Sequence, residues 1–158
     1  MLVFLRHFAC VGCAEEVTEL APRFAELERA GVRVVLVGNG NGPQLDGFIE
    51  RFALGDKPVV VVTDPEQGAY RAAGFGRSFW GTYGPRALVD WGRSVAKGHR
   101  YTLRAEGDIL QLGGVILVDG GGGVRLARAS KRLGDHAPPS EIVDAALRLF
   151  VEAEAVHV

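Results

Sequence analysis

Directly after the apolar run Leu2-Val3-Phe4-Leu5, the chain carries its only two cysteines, as Cys10-Val-Gly-Cys13. A run of this kind reads as a buried strand, and an amphipathic segment follows, so the cysteines sit on a strand-to-helix turn. Two cysteines cannot build a disulfide framework. A bridge closing so short a loop also adds little stability, so the spacing points to reactivity more than to stapling. Beside a βαβ pattern, Cys-x-x-Cys reads as a thioredoxin-like redox motif. Two other readings stand next to it. A metal site would need further ligands from His7, His99, His136, His157 or carboxylates, and none lies at ligand-pair spacing with the cysteines. Alternatively, both thiols are small buried hydrophobes.

The periodicity fixes the order of elements. From Ala14, the apolar positions Val17, Leu20, Phe24 and Leu27 recur at helical spacing, with Glu16, Glu19, Arg23, Glu26 and Arg29 on the polar side, a kink near Pro22 and Gly31 closing the segment. Val32 to Val37 is a second strand. Pro43 opens a helix with Leu45, Phe48, Ile49 and Phe52 inward, and Val59 to Val62 is a third strand, ending at an Asp64-Pro65 helix start. Strands alternating with helices imply a parallel sheet. Residues 75–110 then hold no strand signal, but Arg86 to Lys97 can form a helix with Leu88, Trp91 and Val95 on one side. Val115 to Val118 and Val124 to Ala129 read as a hairpin around Gly120 to Gly123, and Ser140 begins a last helix with Ile142, Val143, Ala146, Leu147 and Phe150 inward. The expected fold is α/β: a thioredoxin-like central mixed sheet flanked by helices, with an extra βα unit and a helical insertion before the C-terminal hairpin.

With 158 residues, 47% of them apolar, the chain suits one domain, 1–158, with 75–110 as a lid-like insertion. A formal net charge of −1 gives no global attraction to nucleic acid or to an anionic membrane, so neither is an expected partner. The first apolar run is too short for a signal segment, and the expected location is cytoplasmic. Basic surface must be local, and it is: Arg77, Arg86, Arg93, Lys97, Arg100 and Arg104 face only Asp90, interleaved with Phe79, Trp80, Tyr83, Trp91 and Tyr101. Three readings fit this segment: a helical lid completing the core, an amphipathic cap over a site for an anionic or fatty substrate, or a single-strand nucleic-acid surface. Trp80, Arg86, Trp91 and Arg93 are its candidate substrate-binding residues. The loop Gly38-Asn-Gly-Asn-Gly42 lacks the spacing of a phosphate cradle and reads as a βα turn.

Cys10 at a helix N-terminus is the candidate nucleophile, because the unpaired N–H groups and the positive dipole end favour thiolate. Being N-terminal, it is also expected to lie closer to solvent than Cys13. Cys13, one turn on, can resolve a mixed disulfide or sulfenate at Cys10. Arg6 and His7 can add positive charge, although strand alternation lets only one face the sulfur readily.

Taken together, Phe4-Leu5-Arg6-His7-Phe8-x-Cys10-x-x-Cys13, Asp64-Pro65 with Tyr70 to Gly74, Gly84-Pro85-Arg86-Ala87-Leu88, Gln111-Leu112-Gly113-Gly114 leading to Val118-Asp119, and Ser130 with Gly134-Asp135-His136 resemble one family. It is the peroxiredoxin-like branch of the alkyl hydroperoxide reductase/thiol-specific antioxidant superfamily, the branch that includes prostamide/prostaglandin F synthase. The resemblance implies a thioredoxin-like fold and thiol redox chemistry at Cys10 and Cys13. His7 stands where true peroxiredoxins place a threonine, Gly113 where they place an arginine, and the cis-proline of thioredoxins is missing before Val115. The expected function is a thiol-dependent oxidoreductase, peroxidase-like, that reduces a peroxide or disulfide. Its electrons would come from an external thioredoxin- or glutaredoxin-like dithiol, with no cofactor and no metal. The alternative is a non-catalytic thioredoxin-fold module binding a partner or an apolar anion through residues 77–104.

Overall fold

The computed structural model describes residues 1–99 and 106–155, with side chains up to residue 149. Arg100, Tyr101, Arg104, His157 and the side chain of Phe150, all named above, lie outside the described residues. The valine- and leucine-rich runs form β1 (Leu2–Phe4), β2 (Val34–Gly38), β3 (Val59–Thr63), β4 (Gly114–Val118) and β5 (Val124–Ala129). They make one mixed sheet in the order β3-β2-β1-β4-β5. β1, β2 and β3 run parallel, with Val3 opposite Leu36 and Leu36 opposite Val61, while β4 runs antiparallel to β1 and β5 completes the hairpin.

Alternation along the strands sorts two apolar layers. On one face Val3, Val34, Leu36, Val115 and Leu117 meet the helices α1 (Val11–Leu20), α2 (Phe24–Arg29), α3 (Gly42–Arg51) and α7 (Pro139–Ala155) through Val17, Leu20, Phe24, Leu27, Phe48, Ile142 and Val143. On the other, Phe4, Val37 and Ile116 pack against Phe75 and against Tyr70 of α4 (Gly68–Ala72). Rings stack edge to face there, Phe4 lying 5.1 Å from Tyr70 and 5.0 Å from Phe75. The Tyr70 hydroxyl reaches both the Leu5 carbonyl (2.5 Å) and the Val37 carbonyl (3.0 Å), tying β1 to β2 just before the cysteines. The insertion supplies α5 (Phe79–Tyr83) and α6 (Pro85–Ala96). The central mixed sheet, the added βα unit and the helical insertion are thus present as the sequence leads one to expect.

Two local details differ from expectation, and a third is left open by the sequence. The chain after Asp64-Pro65 is a turn, not the first turn of a helix: the Asp64 carboxylate instead reaches forward to accept from the N–H groups of Gly68 (3.1 Å) and Ala69 (2.7 Å), so it satisfies the orphan donors of α4 from outside the helix. In α3, the cap is Asn41, whose side chain accepts from Gln44 N at 3.0 Å. The orientation of α6 is one that the spacing leaves open. Leu88, Trp91 and Val95 are exposed, while Ala87, Asp90 and Ser94 are buried. The reason is polar. Ser94 donates to the buried carboxylate of Glu15 on α1, and Asp90 accepts from Arg93 (2.5 Å) and Arg132 (2.8 Å), so the narrow, hydrogen-bonding side of the helix docks and the apolar side is left outward.

Candidate active site

Strand β1 ends at Phe4, and the next six residues, Leu5 to Cys10, turn the chain into α1. Cys10 is the N-cap of that helix, in extended conformation, and its carbonyl accepts the first helical bond from Ala14 N at 3.0 Å. Cys13 follows one turn later. The expectation that Cys10 lies closer to solvent does not hold: Cys10 is 2% exposed and Cys13 is 3%. What separates the thiols is electrostatics.

Arg6 is the centre of the site. It is buried, its Nη2 donates to Thr82 Oγ1 (2.8 Å) and to the Ile109 carbonyl (2.6 Å), and its Nε donates to the Gln111 carbonyl (3.2 Å). Nη1 points to Cys10 Sγ at 3.7 Å, and the Arg6 backbone N–H approaches Cys13 Sγ at 3.1 Å. No carboxylate among the described residues pairs with this guanidinium, and a buried cation needs a counter-charge. The sulfur of Cys10 is the group placed to provide it. The Cys10 thiol is correspondingly held well below the ordinary thiol range, first by the S–H of Cys13 donating to it and then by the charge of Arg6, against the opposing effect of burial. Burial and the neighbouring Cys10 push Cys13 well above that range.

Burial lowers the His7 pKa, and at Cys10 Arg6 is the stronger source of positive field, with His7 adding to it in the same direction. Strand alternation does not select between the two residues, because both lie beyond the end of β1. Glu16, expected on the polar side of the first helix, is buried; burial, then the Cys10 charge and Glu19, push its carboxyl up to about 8. It shares a cavity of about 20 Å³, room for about one water, with Cys10, Cys13, Ser130, Arg132 and His136.

On its other side, Arg6 lines a pocket of about 390 Å³ with His7, Thr82, Tyr83, Leu88, Trp91, Ile109 and Leu133. The sequence-derived substrate residues separate here. Trp91 lines this pocket. Arg86 belongs to a neighbouring depression beside Val89 and Arg132, Arg93 is ion-paired to Asp90, and the Trp80 ring is 75% exposed outside both. Thr82, Ile109, Gln111 and Glu16 are the site residues that sequence reasoning missed. α5 sets Thr82 in place: Ser78 caps the helix by accepting from Gly81 N (2.9 Å), and the Thr82 hydroxyl lies 2.9 Å from the Ser78 carbonyl. Glu15, Glu19 and His136 also gather on the far side of α1, where Lys97 binds both carboxylates.

A family model described as AhpC/TSA antioxidant enzyme matches residues 19–131. The chain belongs to this family. The AhpC/TSA match begins beyond the cysteines, but whole-chain relatives extend across them. The pig prostamide/prostaglandin F synthase is 32% identical over 157 residues, covering 97% of this chain and 75% of its own length. The chloroplastic thioredoxin-like protein AAED1 of Arabidopsis thaliana is 31% identical over 153 residues, covering 92% of this chain, and the chain spans 60% of that relative's length. Human peroxiredoxin-like 2C is 24% identical over 160 residues, 90% of this chain and 66% of the relative. The protein is therefore a member of the peroxiredoxin-like, thioredoxin-fold branch of a redox oxidoreductase family. Two of the residues that carry the family resemblance have structural work at the site. Gln111 donates to the carbonyls of Phe75, Gly76 and Leu112, fixing the loop that holds Arg6. Gly113 lets β4 approach β1 so closely that an added Cβ would lie 1.9 Å from the Phe4 carbonyl oxygen.

Proposed function

We propose that the protein is a thiol-dependent peroxide reductase for apolar peroxides. The carrying observation is that Arg6, with Thr82 bonded to it, stands between Cys10 Sγ and the pocket. An arginine beside the nucleophile and a threonine hydroxyl bonded to that arginine are thus present, although neither comes from the sequence position where true peroxiredoxins hold them. The Cys10 thiolate attacks the distal oxygen of a peroxide, the O–O bond breaks, and the alkoxide leaves as an alcohol after taking a proton. Cys10 is then a sulfenic acid. Arg6 and Thr82 are placed to bind the two oxygens while charge moves from sulfur to the departing oxygen. Cys13 passes its proton to the Glu16 carboxylate and attacks the Cys10 sulfur, forming the disulfide and breaking the S–O bond; the departing hydroxide takes that proton back from Glu16 and leaves as water, and an external dithiol returns both thiols. Oxidation of Cys10 removes one of the charges that raise the Glu16 pKa, so the carboxyl becomes a readier acceptor at the step that needs one.

The apolar lining by Leu88, Trp91, Ile109 and Leu133 supports a lipid-like peroxide over hydrogen peroxide, and relatives named for prostamide and prostaglandin F synthesis are consistent with that. Burial of both thiols is the observation that favours the second reading, a non-catalytic binding module. Stopped-flow oxidation of Cys10 by cumene hydroperoxide and by hydrogen peroxide decides between them. The expected result is faster reaction with the organic peroxide, slowed by Thr82→Val and abolished by Cys10→Ser. Thiols inert to both oxidants and to iodoacetamide at neutral pH overturn the reductase and leave the module.

A further inference from the structure

We propose that the outward face of α5 and α6 is a docking surface for an anionic lipid bilayer. Phe79 is 57% exposed, Leu88 55%, Val89 68%, and Trp80 is the most exposed of all. Leu88 and Val89 lie outward because Ala87, Asp90 and Ser94 take the inner side of α6. A helix whose apolar side faces water while its polar side is buried has the pattern of an interfacial helix, and the exposed tryptophan of the adjoining α5 suits the headgroup boundary.

Charge selects the occupant. Between Glu66 and Glu106 the only acidic residue is Asp90, which is buried and held by Arg93 and Arg132. The exposed positions of α6 therefore offer Arg86 and Arg93 and no carboxylate, and no carboxylate among the described residues pairs with Arg86. A second copy docked face to face would set these arginines against their own counterparts. Acidic headgroups complement them, at about 1 kcal/mol per basic residue near the surface. Among the described residues no helix is long and apolar enough to cross a membrane. The near-neutral total charge, which argued against a membrane partner, conceals this one-sided segment. Tyr83, Leu88 and Trp91 of the same two helices line the pocket at Arg6, so a lipid peroxide would enter from the docked side. That route rests on the proposed function; the docking does not.

Both tryptophans of the chain, Trp80 and Trp91, are on these helices, so intrinsic fluorescence reports the contact. On phosphatidylcholine vesicles containing phosphatidylserine, the emission should shift to the blue, be quenched by brominated acyl chains, and the protein should co-sediment. Val89→Glu, with an unchanged melting temperature, should weaken binding about tenfold or more. Arg86→Gln should weaken it about fivefold on the serine-containing vesicles and leave phosphatidylcholine alone unaffected. Cys10→Ser should bind as the wild type, which separates docking from thiol chemistry. No co-sedimentation, or binding indifferent to Val89→Glu, overturns the proposal. A concentration-dependent dimer that shifts the emission without lipid also overturns it and assigns the face to a second copy.

Discussion

Arg6 concentrates at one residue the consequences of burying a charge. Its guanidinium is bonded to Thr82 and to the carbonyls of Ile109 and Gln111, and its remaining nitrogen faces Cys10. Arg6→Met should therefore raise the Cys10 pKa and slow alkylation at neutral pH about tenfold or more, as removal of a close opposite charge does. A pH series of iodoacetamide labelling, read by mass spectrometry, checks this. The same series on the wild type should label Cys10 before Cys13 although the two are equally buried. Glu16 gives a second test. Its carboxyl holds a proton up to about 8 in the folded protein, against 4.5 for an unperturbed glutamate. Between those values the folded state binds more protons than the unfolded, so stability falls as pH rises through this window. Glu16→Gln should flatten the melting-temperature profile there and raise stability at its alkaline end. Of these residues, Arg6 and the cysteines were legible because they adjoin in sequence. Thr82, Ile109 and Gln111 reach Arg6 only after folding, and Glu16 resembles any solvent-side glutamate until a neighbouring loop covers it.

Among the elements, α6 shows what periodicity leaves open. Its apolar stripe is real, but helix docking is decided by the partner's shape and polarity as much as by greasiness, and α1 presents the buried Glu15. A small, hydrogen-bonding side fits there, and no hydrophobic count reveals that. Asp90 secures the arrangement: Gly134, at φ +75, comes so close that a Cβ on it would lie 2.8 Å from that of Asp90. Asp90→Ala should thus cost about 2 kcal/mol or more in urea unfolding, since it leaves two arginines without their shared carboxylate. Val89→Ala, one position away on the open side, should change stability by less than about 0.5 kcal/mol. All five strands were readable because short apolar runs bounded by turns have few other solutions.

At the scale of the whole molecule, β1 lies in the middle of the sheet and delivers the cysteines from its carboxyl end, where open α/β sheets place their chemistry. Gly113 is the point at which the antiparallel half of the sheet is fitted to the parallel half. Gly113→Ala should cost about 3 kcal/mol or more through backbone collision, and the measurable result is loss of cooperative melting or of soluble protein. The outer border of the sheet has a consequence of another kind. β3 is an open edge made of four consecutive valines, two of them substantially exposed. Such a segment is a template for uncontrolled strand addition between molecules. Lys57-Pro58 precedes it and Asp64-Pro65 follows, so each end of the run carries a charge and a residue that cannot donate to a ladder. These flanks act as gatekeepers for the chain in concentrated solution and during synthesis, and their protection is colloidal rather than conformational. Replacing both prolines by alanine should leave the melting temperature nearly unchanged while shortening the lag before light scattering rises on storage.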